Sequence, residues 1–350
     1  MGLSHFLDTD FETLLGHQSY SYSKIFNKTI LITGATGFFG SWIIFAIHHL
    51  NALHGAGIKL ICLSRDPENF LQDYPEIRHF SFCRWIKGDL TEFIFDQSFD
   101  FVIYAAWDVP KVGLGPSFCL TNKSHVEMVT GLNNILNQSR LCDGNVRFLF
   151  LSSGAVYKSK KGNDLLSEDD DCISNSQAHG SGYSMSKLIA EKMCFDFQNE
   201  NPFFHLSIAR CFSFSGPMLP LNHRYALGNF IKTALSGESI VINGSGLDKR
   251  SYLYGAELPF WLFEILTKGK NGDIYNVGGT EAVSIKDLAE LVSRNVNDNL
   301  TVTIKNPQSA YVNYLASLDK TSKELGLNSY FSIEYGIKRM LDFLKIKREV

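Results

Sequence analysis

Tyr183 and Lys187 stand four residues apart in the stretch Tyr-Ser-Met-Ser-Lys, a spacing that sets both side chains on one face of a helix. A phenol ionises near pH ~10 and is a poor base at neutral pH. An ammonium beside it, joined by the positive ring of an oxidised nicotinamide, favours the phenolate and brings it toward the working range. Tyr183 can then take a proton from a substrate hydroxyl, or return one, while hydride moves to or from a cofactor. Alone, such a pair also suits a solvated helix surface. Ser152-Ser153 closes the apolar run Val146–Leu151, at the strand end where ligands gather in open parallel sheets. A serine there can hydrogen-bond a reacting oxygen and turn it toward the tyrosine, although a plain strand-terminal turn serine fits equally well.

These side chains need a scaffold, and its first part is Thr29 to Gly40, reading Thr-Ile-Leu-Ile-Thr-Gly-Ala-Thr-Gly-Phe-Phe-Gly. A short β-rich run ends in glycines 34, 37 and 40, and an apolar amphipathic run follows, which is a strand, a turn and a helix. Gly34 permits the tight turn, Gly37 lets backbone approach a pyrophosphate, and Gly40 lets helix pack on strand. The helix start then offers unpaired N–H groups to phosphate. Further apolar runs at Lys59–Leu63, Phe82–Ile86, Phe101–Ala105, Val146–Ser152 and His205–Cys211 alternate with helix-like segments. That alternation predicts βαβ units and a parallel sheet. In the first helix Ile43, Ile47 and Leu50 form the stripe that faces the sheet.

The organisation expected is an extension over residues 1–26, helical around Asp10–Leu15, then a dinucleotide-binding domain over 27–212, then mainly a substrate lobe over 213–350. Segments near 251–278 are candidates to return to the first domain, Asp273–Val277 as a strand. A Gly144 turn precedes Val146. Lys158–Gly182, with Glu168-Asp169-Asp170-Asp171, reads as a solvated acidic loop. Ser284-Ile285-Lys286-Asp287 resembles a capping box opening a helix through Ser293.

Composition excludes several classes. With 45% apolar and 20% charged residues the chain can bury a sizeable core. A net charge of −3 offers no field for nucleic acid or an anionic membrane, so phosphate recognition must be local. The seven cysteines are dispersed without a Cys-x-x-Cys pair, which suits a reduced, cytoplasmic protein. The histidines show no metal-ligand spacing, and no metal is expected. Phe38–Leu50 is too short to span a bilayer.

Taken in order, the glycine turn, the later serine and Tyr-x-x-x-Lys resemble the extended short-chain dehydrogenases/reductases of the NAD-dependent epimerase/dehydratase family, which remodel nucleotide sugars. The resemblance covers roughly residues 27–345. It rests on Thr33–Gly40, Gly88-Asp89-Leu90, Tyr104-Ala105-Ala106, Ser152–Tyr157, Tyr183–Lys187, Arg210–Pro217, Arg250–Tyr254 and Tyr275–Gly278. It implies a Rossmann-type α/β fold, a doubly wound parallel sheet with a smaller C-terminal substrate-binding lobe. The implied catalytic set is Ser153, Tyr183 and Lys187. Cofactor contacts would come from Gly34, Thr36, Gly37, Phe38, Phe39, Gly40, Ser64, Arg65, Asp89 at the adenine, Leu90, Ala105, Ala106 and Cys211, with Lys187 on the nicotinamide ribose. Ser153, Gly154 and Ser213 would meet the sugar. Arg250, Asn229 and Arg224 would meet the diphosphate, where a guanidinium fork matches phosphate oxygens. A nucleoside-diphosphate sugar is the implied partner and a homodimer the implied assembly.

Departures from the family pattern narrow the reaction. Members that remove water across the 4,6 positions carry Asp-Glu after the catalytic Ser/Thr, and decarboxylating members use the Glu. Here Gly154 and Ala155 stand in those places, so both reactions lose their proton carriers. A 4-epimerase or a 4-keto-sugar reductase needs only hydride transfer and the tyrosine. A dehydratase with atypical acid/base residues and a catalytically inactive NAD(P)-binding regulator are the alternatives. The Asn usual in the helix before the fifth strand is Met128, and the one after the sixth strand is Ser213. At the end of the second strand, Ser64 holds the place of the acid that accepts a ribose 2′-hydroxyl, and Arg65 can pair with a 2′-phosphate. That favours NADP(H) over NAD(H), although a two-residue shift to Asp66 would restore an acid.

Overall fold

The computed structural model describes residues 3–17, 20–107, 122–142, 146–160, 164–173 and 181–349. The Gly144 turn and parts of the 158–182 insertion lie outside the described residues. The elements follow one another as α1 (Leu3–His17), β1 (Thr29–Thr33), α2 (Phe38–His54), β2 (Lys59–Ser64), α3 (Pro67–Asp73), β3 (Cys83–Lys87), β4 (Phe101–Tyr104), α4 (Asn122–Leu141), β5 (Arg147–Ser153), α5 (Ser181–Glu200) and β6 (His205–Cys211). Then come β7 (Ser213–Ser215), α6 (Ala226–Leu235), β8 (Ile240–Ile242), β9 (Lys249–Tyr254), α7 (Leu258–Lys268), β10 (Asp273–Val277), β11 (Ala282–Ser284), α8 (Ile285–Val296), β12 (Val302–Ile304), α9 (Asp319–Leu325) and α10 (Ile333–Glu349).

The main sheet has seven strands in the order β10-β6-β5-β4-β1-β2-β3. In β1, Ile30, Leu31 and Ile32 are all fully buried, the mark of a parallel strand covered on both faces. Ile32 registers with Cys62 of β2 on one side and Ile103 of β4 on the other, both in parallel. Chain progression runs outward from β1 toward β2 and β3, and outward from β4 in the other direction. The β1/β4 seam is therefore the switch point, and a crevice opens beyond its carboxyl ends. The expected return of Asp273–Val277 occurs, as β10 at the sheet edge beside β6.

Two compact units share the chain. The first comprises Met1–Val156, Ile173–Arg210 and Ala256–Tyr275. Within it Ile43, Ile47 and Leu50 of α2 are buried as their spacing requires, but so are Trp42, Ile44, Phe45 and Ala46. The reason is that α1 and α7 pack on α2. The helix expected around Asp10–Leu15 extends over all of α1, whose Leu7, Phe11 and Leu14 are fully buried at helical spacing. Phe11 meets Trp42 and Phe260 edge-on, each at 6.0 Å between ring centres.

The second unit comprises Tyr157–Cys172, Cys211–Gly255 and Asn276–Val350. A three-stranded sheet, β11-β9-β7, is its centre, with β7 parallel and β11 antiparallel to β9. The capping box is present: Ser284 Oγ accepts the Asp287 amide at 3.0 Å, and α8 runs on to Val296. The acidic insertion is a solvated loop only in part: Asp169 and Asp171 are exposed, whereas Leu166 and Glu168 are tied down by hydrogen bonds. The Leu166 amide donates to the Leu315 carbonyl at 2.8 Å, and the Leu166 carbonyl accepts from Ser317 and from Asn276 Nδ2, each at 2.8 Å. Glu168 accepts the Asn276 amide at 2.8 Å, and burial pushes its carboxyl up. Asp170 and Asp171 pair with Lys160 and Lys158, which relieves the repulsion that a run of like charges suggests.

Candidate active site

The first unit holds a groove of about 520 Å³ beyond the carboxyl ends of β1, β2 and β4. Gly34 turns the chain with φ +69°, and a Cβ on it would come within 2.9 Å of the Ala106 backbone. A Cβ on Gly40 would come within 2.3 Å of the Ala35 carbonyl oxygen. Both positions therefore require glycine. Gly37 precedes α2 and supplies no side-chain cap, and a helix start of this kind favours an anion. Gly34, Thr36, Gly37, Asp89, Leu90, Ala105 and Ala106 line the groove. Phe38 and Phe39 are not among the lining residues; Phe38 turns toward Trp42, 6.4 Å between ring centres.

At the tip of β2, Ser64 Oγ lies 3.2 Å from Thr36 Oγ1. Asp66 is the N-cap of α3, with Oδ1 accepting the Asn69 amide at 3.4 Å, and it also lines the groove. Asp89 accepts the Thr91 amide at 2.9 Å and hydroxyl at 2.7 Å. Those two bonds, then the charge of Arg65, hold the Asp89 carboxyl below the usual carboxylate range. The size of the groove and its glycine turn fit a dinucleotide.

Along α5, Tyr183, Lys187 and Glu191 succeed one another at four-residue intervals on one face. Lys187 is buried, and its Nζ donates to the Leu151 carbonyl of β5 at 2.7 Å. Ser153 ends β5 nearly buried, and its Oγ accepts the Ala155 amide at 3.2 Å. The structure thus brings Lys187 to the carboxyl end of the strand that carries Ser153. Two participants went unread in the sequence. Glu191 binds Arg210 through Nε at 3.1 Å and Nη2 at 2.8 Å; its only local signal is its position four residues after Lys187. Trp107 lines the groove, and its only signal is that it follows Ala105-Ala106.

The remaining candidates belong to the second unit. Cys211 ends β6 and is buried, and Ser213 opens β7. The Arg224 amide donates to Asn222 Oδ1 at 3.0 Å, and Asn229 lies in α6. Arg250 donates from Nη1 to the carbonyls of Lys249 and Val312 at 3.0 and 3.1 Å, with its guanidinium 5.3 Å from the centre of the Tyr314 ring. No described helix is long and apolar enough to cross a membrane.

Fold and groove define a Rossmann-type dinucleotide-binding protein, and the model of the NAD dependent epimerase/dehydratase family matches residues 30–278. The chain belongs to that family, whose members here are nucleotide-sugar epimerases, dehydratases and decarboxylases. It is 26% identical over 291 residues to dTDP-D-glucose 4,6-dehydratase of Mus musculus, across 76% of this chain and 72% of that protein. It is 24% identical over 328 residues to UDP-glucuronic acid decarboxylase 3 of Arabidopsis thaliana, across 93% and 91%. The solved structure of UDP-glucuronic acid 4-epimerase from Bacillus cereus, in complex with UDP-glucuronic acid and NAD, superposes with a TM-score of 0.76. It is 22% identical, over 91% of this chain and 99% of that one, and shares the fold.

Proposed function

We propose that this protein is an NAD(P)-dependent epimerase or 4-keto reductase that acts at C4 of a nucleoside-diphosphate hexose, with Tyr183 as acid/base. The observation that carries the reading is Lys187, buried and fixed on the Leu151 carbonyl one turn from Tyr183, in a chain with Gly154-Ala155 where dehydration needs an acid and a base. Bound in the groove, the nicotinamide supplies an acceptor or donor of hydride for C4. Gly37 and the first amides of α2 would hold the pyrophosphate, and Asp89 the adenine. The Ser153 hydroxyl orients the sugar's O4. Tyr183 takes the O4 proton as the C4–H bond breaks, and returns it in the opposite sense, while Lys187 keeps the phenolate accessible. Arg250, Asn229 and Arg224 are the proposed diphosphate ligands.

NADP(H) is the proposed cofactor over NAD(H), because Asp66 caps α3 and Arg65 stands at the β2 tip. A second copy of the chain is proposed to cover Val126, Val129 and Ile189, which α4 and α5 leave exposed.

The test is incubation with a panel of nucleoside-diphosphate hexoses and both nicotinamide cofactors, followed by assignment of the C4 configuration by NMR. An inverted C4 with cofactor retained on the protein identifies the epimerase, and steady consumption of reduced cofactor with a 4-keto sugar identifies the reductase. Tyr183→Phe is expected to lower turnover at least ~100-fold. Unchanged turnover in that variant, or loss of water as the product chemistry, would sink the proposal.

A further inference from the structure

We propose that Trp107 is a positioning residue whose indole face holds the Lys187 ammonium in place, as a full positive charge, beside Tyr183. The inference rests on the reading of Tyr183 as acid/base given above. Lys187 Nζ lies 3.7 Å from the centre of the Trp107 ring and 5.0 Å from that of Phe150. Trp107 also meets Tyr183 edge-on, 6.3 Å between ring centres at 88°, and Phe150 at 6.3 Å and 74°. One indole therefore touches both members of the Tyr-Lys pair and lines the groove that fits the dinucleotide.

The physical need for such a contact follows from burial. An ammonium only 4% exposed has lost most of its water and must be compensated by partners. The Leu151 carbonyl accepts one of its three N–H donors. A carboxylate could hold the charge too, but a unit negative charge there would cancel the field that favours the Tyr183 phenolate. An indole face attracts a cation through its quadrupole and brings no net charge. The nearest carboxylate along α5, Glu191, is spent on Arg210 at two points.

Among the other titratable groups on the packed elements are Cys194 on α5, whose thiol burial pushes up, Tyr104 on β4, whose phenol burial pushes up, and Glu127 on α4, which lines the groove. Trp107 is thus placed to help fix the ammonium without neutralising its effect.

The experiment reads Tyr183 directly, without sugar or turnover. The phenolate absorbance of the full chain is titrated against that of the same protein carrying Tyr183→Phe, and the difference isolates Tyr183. Replacing tryptophan biosynthetically by fluorotryptophans of increasing fluorine number weakens the indole face with little change of shape. We expect Tyr183 to titrate stepwise higher along that series, and about one unit higher in Trp107→Leu than in the parent. Trp107→Phe should restore part of the shift and make Tyr183 insensitive to fluorination of the other tryptophans.

A Tyr183 midpoint that is constant along the series, or equal in Trp107→Leu and the parent with the fold intact by circular dichroism, overturns the proposal. So does a parent protein in which Tyr183 ionises no earlier than the other tyrosines. Failure of the proposed reaction shows instead in the sugar assay and leaves these titrations unaltered.

Discussion

Glu191 of α5 and Arg210 of β6 form a two-point ion pair, with Nε at 3.1 Å and Nη2 at 2.8 Å from the two carboxylate oxygens, and both side chains are at most 5% exposed. Ser152 of β5 donates to the same carboxylate at 2.5 Å. Three elements are therefore tied together one turn beyond Lys187 and one residue before Ser153. Removing one partner of such a pair leaves a buried, uncompensated charge, and the cost is about 3–5 kcal/mol. Glu191→Ala is expected to lower stability by that amount in urea unfolding followed by circular dichroism. Glu191→Gln, which keeps an acceptor for Ser152, should cost less. A loss below about 1 kcal/mol in the alanine variant would show that the pair does not tie these elements.

That pair marks the boundary of what the chain discloses before it folds. The glycine turn, the parallel strands and the return of Asp273–Val277 are legible because local pattern carries them: apolar runs of strand length, glycines where φ or space demands them, and a cap at Ser284. Glu191 with Arg210 is not legible, since residues 19 apart become partners only through the packing of α5 on the sheet. Trp107 reads as an ordinary aromatic until Lys187 is set above its ring. The helix α1 was only partly legible, because its apolar face is completed by α2. The acidic insertion is only partly legible for the same reason: its own Lys158 and Lys160 meet Asp171 and Asp170, and the Asn276 amide meets Glu168, only once the chain folds. Among the candidate site residues, those on the β1 turn and on α5 could be located from spacing. Arg224 lies in irregular chain, which has no period to read, and Asn229 and Arg250 lie on the short elements α6 and β9, whose neighbours only the fold supplies.

Arg65 is the residue on which the proposed preference for NADP(H) can be tested. It lines the groove at the tip of β2, where Ser64 offers a hydroxyl and Asp66 is engaged in capping α3. A guanidinium there pairs with a ribose 2′-phosphate and gains nothing from a 2′-hydroxyl. Arg65→Ala is expected to weaken NADP(H) binding at least ~10-fold, the equivalent of one charge-assisted contact, while NAD(H) binding changes little. Titration of both reduced cofactors by fluorescence measures the ratio. Equal losses for the two cofactors, or tighter NAD(H) than NADP(H) binding by the parent protein, would assign the site to NAD(H).

His205, at the start of β6, gives the chain a specific acid response. Its Nδ1 is buried and has no hydrogen-bond partner among the described residues, and burial, then the charge of Arg147, pushes the imidazole down to about 4. An unfolded histidine titrates near ~6.5. Below that pH the unfolded chain takes up a proton that the folded chain refuses, so the unfolded state gains. Stability is therefore complete above the unfolded value, falls as the pH drops from ~6.5 toward 4, and levels off once the folded imidazole also protonates. Since His205 is only half-buried, solvent screening reduces the effect to about 1 kcal/mol between pH 7 and 5. His205→Gln removes the titration, and its urea midpoint should fall less than that of the parent over this interval. Parallel pH profiles for the two proteins would mean that His205 is protonated as readily folded as unfolded.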